Sequence, residues 1–140
     1  MTRRVSIPFA AGLLALALTS ALSAAAAAQP AGEYRGSFDD TGGRPVPVLL
    51  HIDAGRAIGD AAGSIRFQEP WACGFDLQVA GVQGEVATYS FTRAGAGRCT
   101  PYTQGYARIQ PDGLGIDVQL LKKDNSAGPR IFLSPVTRGN

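Results

Sequence analysis

Apolar and polar residues alternate along most of the chain after residue 30, and glycine or proline interrupts the alternation about every eight to twelve residues. A period of two is typical of strands with one buried face, and the interruptions are typical of turns. No segment of this region has the spacing of an amphipathic helix. The pattern predicts strands over residues 33–39, 46–53, 64–68, 73–79, 85–93, 105–110, 114–122 and 130–136.

The same alternation predicts which side chains face the core. The seventh strand is the most regular, with Leu114 and Leu120 at the two ends of its inward face, and residues 111–113 predict the turn before it. Pro47 cannot donate a ladder hydrogen bond, so the second strand should begin at an edge or a bulge. Eight antiparallel strands can close on themselves and so remove exposed sheet edges. We therefore expect an all-β fold, a small antiparallel barrel of about eight strands, with a two-sheet β-sandwich as the alternative.

The first 28 residues differ from the rest and have the organisation of a signal peptide. Arg3 and Arg4 form a basic start, residues 7–22 are mostly apolar, and residues 26–28 are alanines of the kind that signal peptidase accepts. A retained membrane helix is the alternative, but no second hydrophobic span follows. We expect a signal peptide over 1–28 and a single β-domain over 29–140 that is periplasmic or secreted, with no membrane span in the mature chain. The paired arginines leave twin-arginine export open beside the Sec route.

The charge of the chain argues against nucleic acid as a partner. The chain has 13 basic and 11 acidic residues, and two of the basic residues lie in the predicted signal peptide, which leaves 11 of each sign. No run of basic residues is longer than Lys122 and Lys123. A neutral chain without such runs lacks the positive surface that binding to a phosphate backbone needs.

The chain has two cysteines, Cys73 and Cys99. Exported proteins fold in an oxidising compartment, so we expect these two to form a disulfide, with an unpaired, reactive cysteine as the alternative. The bond would tie the start of the fourth strand to the glycine-rich loop at residues 94–97 and restrict its movement. The glycines would also suit ordinary turn geometry.

Residues for catalysis or metal binding are few. His51 is the only histidine, and no serine lies in a G-x-S-x-G segment. A zinc site needs more ligands than remain once the cysteines pair. We therefore expect no catalytic residue, no metal and no cofactor. The carboxylates are scattered, but two from different strands could flank a glycosidic bond, which keeps a glycan hydrolase as the least favoured hypothesis.

Several landmarks of the mature chain recur in the same order in one group of proteins. They are an aromatic-x-Gly at Tyr34 and Gly36, a G-x-I-x-F strand at 63–67, a C-G-x-x-L segment at 73–77 and a G-x-C segment at 97–99. This order resembles that of small disulfide-bonded bacterial extracytoplasmic β-domains, which occur alone behind a signal peptide or attached to larger proteins. The resemblance implies a disulfide-bonded β-domain and no established activity or catalytic residue.

A recognition surface is the remaining candidate site. Trp, Tyr and Arg dominate binding energy at protein interfaces, and residues of these types lie on or near the tethered loop. They are Trp71, Arg98, Tyr102 and Tyr106. Arg98 and Tyr102 should be the most exposed of them. The alternative is structural, with Trp71 capping the barrel and Tyr106 pairing across strands.

We favour the hypothesis of a non-catalytic exported binding module, such as an inhibitor or immunity-type protein that acts on an extracytoplasmic enzyme, for example a cell-wall hydrolase. One alternative is a carrier that holds a small apolar ligand inside the barrel. Another is an envelope-associated structural protein. The expected partner is therefore an extracytoplasmic protein or a small apolar ligand.

Overall fold

The computed structural model describes residues 30–137, and the predicted signal peptide, residues 1–28, lies outside them. Each strand of the described region pairs antiparallel with the next, and the last pairs with the first to close a barrel. This confirms the all-β antiparallel barrel rather than the two-sheet sandwich. The strands are β1 (Gly32–Asp39), β2 (Pro45–Ile52), β3 (Ala61–Phe67), β4 (Cys73–Gln83), β5 (Val86–Phe91), β6 (Tyr106–Asp112), β7 (Gly115–Leu121) and β8 (Ala127–Pro135).

The seam between β1 and β8 depends on a close backbone approach at Gly36. Gly36 is paired with Leu133, and a Cβ atom on Gly36 would lie 2.4 Å from the carbonyl oxygen of Phe132. That oxygen belongs to the backbone of β8 and cannot move aside without distorting the ladder. Glycine at this position therefore allows the first and last strands to join.

The inward faces of the strands fill the barrel with one cluster of apolar side chains. Phe75 and Phe91 stack within it, with ring centroids 4.2 Å apart. An eight-stranded barrel is just wide enough for side chains to fill its interior, so the strands form a rigid support for the connections at each end. The fully buried inward residues include Val46, Val48, Ile65, Tyr89, Ile109, Val118, Leu120 and Leu133.

The β6–β7 turn lies further along the chain than predicted. β6 extends to Asp112, so the turn is at Gly113 and Leu114 rather than at 111–113. Gly113 has a φ of 59° and Gly84, in the β4–β5 turn, has a φ of 58°, a conformation that two-residue hairpin turns require. The prediction that Leu114 faces the core is wrong, because this turn residue is 95 % exposed.

Pro47 pairs with Ser37 of β1 but precedes the β2–β3 ladder, which begins at Val48, so β2 begins at a local edge as predicted. The Pro47 carbonyl accepts a hydrogen bond from the N–H of Gln68 (2.9 Å), just beyond the first β2–β3 pair. Pro47 cannot donate in return, and the Gln68 carbonyl instead accepts hydrogen bonds from the N–H groups of Trp71 and Ala72 at 3.0 and 3.1 Å. The end of the ladder thus tolerates proline, and the freed carbonyl helps to form the turn that carries Trp71.

The disulfide joins the start of β4 to the β5–β6 connection at one end of the barrel. Because strand direction alternates, the β1–β2, β3–β4, β5–β6 and β7–β8 connections share this end, which is named the disulfide end. Cys73 is the first residue of β4, and Cys99 lies in a short 3-10 helix, η1 (Gly97–Tyr102), within the β5–β6 connection. Their Cα atoms are 6.1 Å apart, and the predicted disulfide is confirmed.

Candidate binding site at the disulfide end

All four connections at the disulfide end line one surface cavity with a volume of about 270 Å³. Strand pairing around the closed barrel fixes the positions of these connections relative to one another, so the cavity depends on the whole fold. The lining residues are Asp40 and Thr41 from β1–β2, Trp71 from β3–β4, Gly97, Arg98, Pro101 and Tyr102 from β5–β6, and Lys122 from β7–β8.

Close packing holds the β5–β6 connection in place together with the disulfide. η1 turns Cys99 and Tyr102 toward the protein interior. Gly95 packs against η1 so closely that a Cβ atom on it would lie 2.4 Å from the Cys99 carbonyl oxygen, and its N–H donates to Thr103 Oγ1 at 2.9 Å. Gly95 therefore permits close backbone packing in this connection. Arg98 is exposed on it, as predicted.

An aromatic cluster forms the inner wall of the cavity. Trp71 meets Phe38 edge-on, with ring centroids 5.0 Å apart, and Phe67 at 5.2 Å. The Tyr102 ring lies 6.2 Å from that of Trp71, with 29° between the ring planes. These contacts close the end of the barrel with large apolar surfaces. Trp71 therefore caps the barrel, as the structural alternative predicted, and also lines the cavity.

Tyr102 is buried, with 8 % of its surface exposed, so the prediction that it would be exposed is wrong. It is the last residue of η1, and its ring lies over Gly128, where a Cβ atom would come within 2.5 Å of the ring. The small residue on β8 leaves the space that the ring fills. Desolvation of the hydroxyl raises the pKa of Tyr102.

The two cations that line the cavity have no carboxylate partner within residues 30–137. The ion pairs of this region join other residues and include neither Arg98 nor Lys122. The ammonium nitrogen of Lys122 lies 5.8 Å from the ring centroid of Tyr102, within the range of a cation–π contact. Arg98 and Lys122 therefore have no carboxylate within 4 Å in this region, although Asp124 attracts Lys122 at longer range.

The acids nearest these cations are satisfied within their own turns. Asp40 accepts hydrogen bonds through Oδ1 from the N–H groups of Gly42 and Arg44 at 2.9 and 3.0 Å. Asp124, which lies beside Lys122, accepts hydrogen bonds from the Ser126 N–H at 2.9 Å and from the Ser126 hydroxyl at 2.6 Å. The Arg44 N–H is the largest cause that lowers the pKa of Asp40, and the Ser126 hydroxyl is the largest for Asp124.

The cavity brings together three of the four predicted recognition residues, Trp71, Arg98 and Tyr102. Tyr106 is not among its lining residues. This residue begins β6, and its hydroxyl donates a hydrogen bond to Asn125 Oδ1 at 2.7 Å in the β7–β8 connection. The Tyr106 side chain therefore contacts a connection, while its backbone pairs across strands with Ser90 and Leu121.

Sequence reasoning missed the residues that the β1–β2 and β7–β8 connections contribute to the cavity, Asp40, Thr41 and Lys122. Asp40 directly follows β1 and Lys122 directly follows β7. Counting the alternating strand directions from Cys73 would have placed both turns at the disulfide end. The signal was therefore present in the order of the predicted strands, although no single segment carries it.

A second, more open cavity brings Asp53 and Asp76 together on another part of the surface. Asp53 Oδ1 lies 2.9 Å from Nε2 of His51, which is exposed, and Asp76 contacts the guanidinium groups of Arg66 and Arg93 at 2.8 and 3.0 Å. The Arg66 hydrogen bond is the largest cause that lowers the pKa of Asp76. The general acid of a glycan hydrolase needs a raised pKa, so Asp76 is unsuited to that role.

Within residues 30–137, no three His, Cys, Asp or Glu side chains are arranged to hold a metal ion. No helix of the same region has the length and hydropathy needed to cross a membrane. Comparison of the chain with models of protein families, with curated proteins and with solved structures finds no match.

Proposed function

We propose that the protein is a non-catalytic exported binding module that engages an extracytoplasmic protein, such as a cell-wall hydrolase that it inhibits, through the disulfide end. The observation that carries this proposal is the meeting of Trp71, Tyr102, Arg98 and Lys122 in one cavity. Trp, Tyr and Arg are the residue types that dominate binding energy at protein interfaces.

The rigidity of the site also favours binding. Cys99 is fully buried and bonded to Cys73, so the backbone next to it, which carries Arg98, is anchored to the barrel. A surface that is ordered before binding loses less conformational entropy when the partner arrives. The filled barrel and the disulfide therefore support recognition by a preformed surface.

Two features support export. The first 28 residues have the basic, apolar and small-residue regions of a signal peptide. The disulfide between Cys73 and Cys99 is of the kind that persists in oxidising compartments. A periplasmic or secreted location is therefore part of the proposal.

The other hypotheses have less support. The carrier needs internal space for an apolar ligand, whereas the inward side chains of the barrel form one packed cluster. An envelope-associated structural role makes no use of a cavity in which Arg98 and Lys122 lack acidic partners. Binding of a protein partner at the disulfide end is the function that uses these features.

The test is affinity capture from an extracytoplasmic extract of the cells that make the protein, followed by affinity measurement with each purified partner. Arg98→Glu should weaken binding of a partner at this site by at least about tenfold, because it reverses a charge in the cavity. Arg35→Glu is the matched control, since Arg35 is exposed on β1 and does not line the cavity. The proposal is abandoned if no partner is captured, or if every partner binds both variants like the unmodified protein.

A further inference from the structure

The cavity at the disulfide end has the charge that an acidic group would complement. Arg98 and Lys122 line it and belong to none of the ion pairs within residues 30–137. Asp40 also lines it, but its side chain is only 3 % exposed, and its Oδ2 accepts a hydrogen bond from the Arg44 guanidinium at 3.2 Å. The cationic groups of Arg98 and Lys122 therefore lie outside close ion pairs, with Asp124 attracting Lys122 only at longer range, whereas the Asp40 carboxylate is already paired with Arg44.

The other walls of the cavity are largely apolar and include Trp71, Pro101 and Tyr102. The Nε1 nitrogen of Trp71 is buried and has no hydrogen-bond acceptor among the described residues. Because this nitrogen has almost no accessible surface, a ligand in the cavity would bind through the cations and the apolar walls and not through this N–H. The volume of about 270 Å³ lies below the roughly 300–1,000 Å³ of pockets for drug-sized ligands, and it suits a single side chain.

We propose that the cavity receives the carboxylate of an aspartate or glutamate side chain of the protein partner, held between Arg98 and Lys122. This inference rests on the proposed function. An acidic side chain carries its charge on a short apolar stem, which matches cations set among aromatic walls. Hydrogen bonds between a cationic side chain and a carboxylate are roughly twice as strong as neutral ones, so the pair would anchor the complex.

The only tryptophan of the chain reports on this cavity. Trp71 supplies a single indole N–H signal in the NMR spectrum, and the probe is N-acetylglutamate α-amide, with N-acetylglutamine α-amide as its neutral match. We expect the acid alone to shift the signals of Trp71, Gly97 and Arg98 in a saturable way, in the millimolar range. Added salt should weaken the response, because it screens the charges. Titrations with sodium glucuronate and with inorganic phosphate test whether the cavity prefers a sugar acid or a free inorganic anion.

Variants assign the response to the two cations. Arg98→Gln and Lys122→Gln should each weaken binding of the acid probe by about tenfold, while Arg35→Gln should leave it unchanged. Equal responses to the acid and amide probes would overturn the inference, and so would no response to the acid or a response that survives both cavity variants. A stronger response to glucuronate or phosphate than to the acid probe would also overturn it.

Measurements with the captured partner separate this inference from the proposed function. If Arg98→Glu abolishes partner binding but the acid probe has no effect, the partner uses Arg98 without placing a carboxylate in the cavity, and only the inference is wrong. If Arg98→Glu leaves partner binding unchanged, the proposed function itself is wrong. If Arg98→Glu weakens partner binding and the acid probe also binds in the cavity, replacing one acidic residue of the partner by its amide should reproduce the loss caused by Arg98→Gln.

Discussion

One tyrosine hydroxyl lies inside the apolar core without a hydrogen-bond partner among the described residues. It belongs to Tyr89, which is fully buried. Desolvation, with a smaller contribution from Tyr34, raises the pKa of Tyr89 to about 12. Burial of an unpaired hydroxyl costs about 1–3 kcal/mol, so Tyr89 opposes part of the stability that its ring provides.

Tyr89→Phe should leave the free energy of unfolding at pH 7 unchanged or raise it by up to about 1 kcal/mol, because the ring is kept and the unpaired hydroxyl removed. It should also reduce the loss of stability in alkali. The pKa of Tyr89 is higher in the folded state than its ordinary value of 10.0, so the unfolded state ionises first as the pH rises. Between pH 9 and 11 this group removes about 1 kcal/mol of stability. Urea unfolding at pH 7, 9 and 11 measures both effects.

Tyr106→Phe is the control for this measurement. The Tyr106 hydroxyl bonds to Asn125, so its removal does not relieve an unpaired group in the core. This variant should keep the alkaline loss that Tyr89 causes. A decrease of more than about 1 kcal/mol at pH 7 in Tyr89→Phe would contradict the assignment of an unpaired hydroxyl.

Asp117 is the one charged residue of the described part of the chain that is buried when backbone and side chain are taken together, with 8 % of its surface exposed. Its Oδ2 accepts a hydrogen bond from Nε of Arg130 at 2.7 Å. Asp117→Asn should lower the free energy of unfolding by about 1–2 kcal/mol, because the guanidinium loses its charged acceptor. Glu85→Gln, at an exposed turn, should stay within about 0.5 kcal/mol. Urea unfolding at pH 7 compares the two, and equal values would contradict the structural role of Asp117.

At the scale of the elements, the eight strands could be predicted because period-two alternation is a local property of the sequence. The helix η1 was not predicted, since Pro101 and the neighbouring glycines are also typical of an irregular loop. The β6–β7 turn lies later in the chain than predicted, because its position is set by the left-handed conformation of Gly113 and not by the proline before it. Strand existence was therefore more predictable than the positions of the connections.

Closure of the barrel predicts a strong effect of one methyl group in β1. Gly36→Ala should lower the free energy of unfolding by at least about 2 kcal/mol, because the new Cβ would meet the Phe132 carbonyl oxygen at 2.4 Å. Gly81→Ala is the matched control, since Gly81 also lies in a strand and has no atom within 4 Å of a Cβ position. Thermal unfolding of both variants measures the difference. Equal effects would show that the β1–β8 seam has room for a side chain.

At the scale of the whole molecule, the disulfide end contains both the aromatic residues that close the barrel and the cavity that four connections line. Trp71 belongs to both, because it packs on Phe38 and Phe67 and also lines the cavity. The disulfide links the connection that holds Arg98 to the strand that begins after Trp71. A change that destabilises this end of the barrel should therefore also alter the proposed binding surface.

Replacement of both Cys73 and Cys99 by serine should lower the free energy of unfolding by about 3.5 kcal/mol, the chain-entropy value for a sequence separation of 26 residues. The barrel should persist, with the far-UV circular dichroism of strands, while the acid probe binds more weakly because η1 has lost its anchor. Urea unfolding and the NMR titration measure the two effects. Dithiothreitol should destabilise the unmodified protein and leave the double variant unchanged; unchanged stability of the double variant would contradict the prediction.

The sequence by itself determined the strands, most of their inward faces and the single possible intramolecular cysteine pair, because alternation and composition can be read from local segments and residue counts. Only the tertiary structure decided that Lys122 meets Trp71 and Arg98 in a cavity, that Tyr102 is buried, and that Tyr106 lies outside. Those outcomes depend on the direction and register of strands that are far apart in the chain. Long-range pairing and barrel closure set both, and they bring the four connections of the disulfide end together.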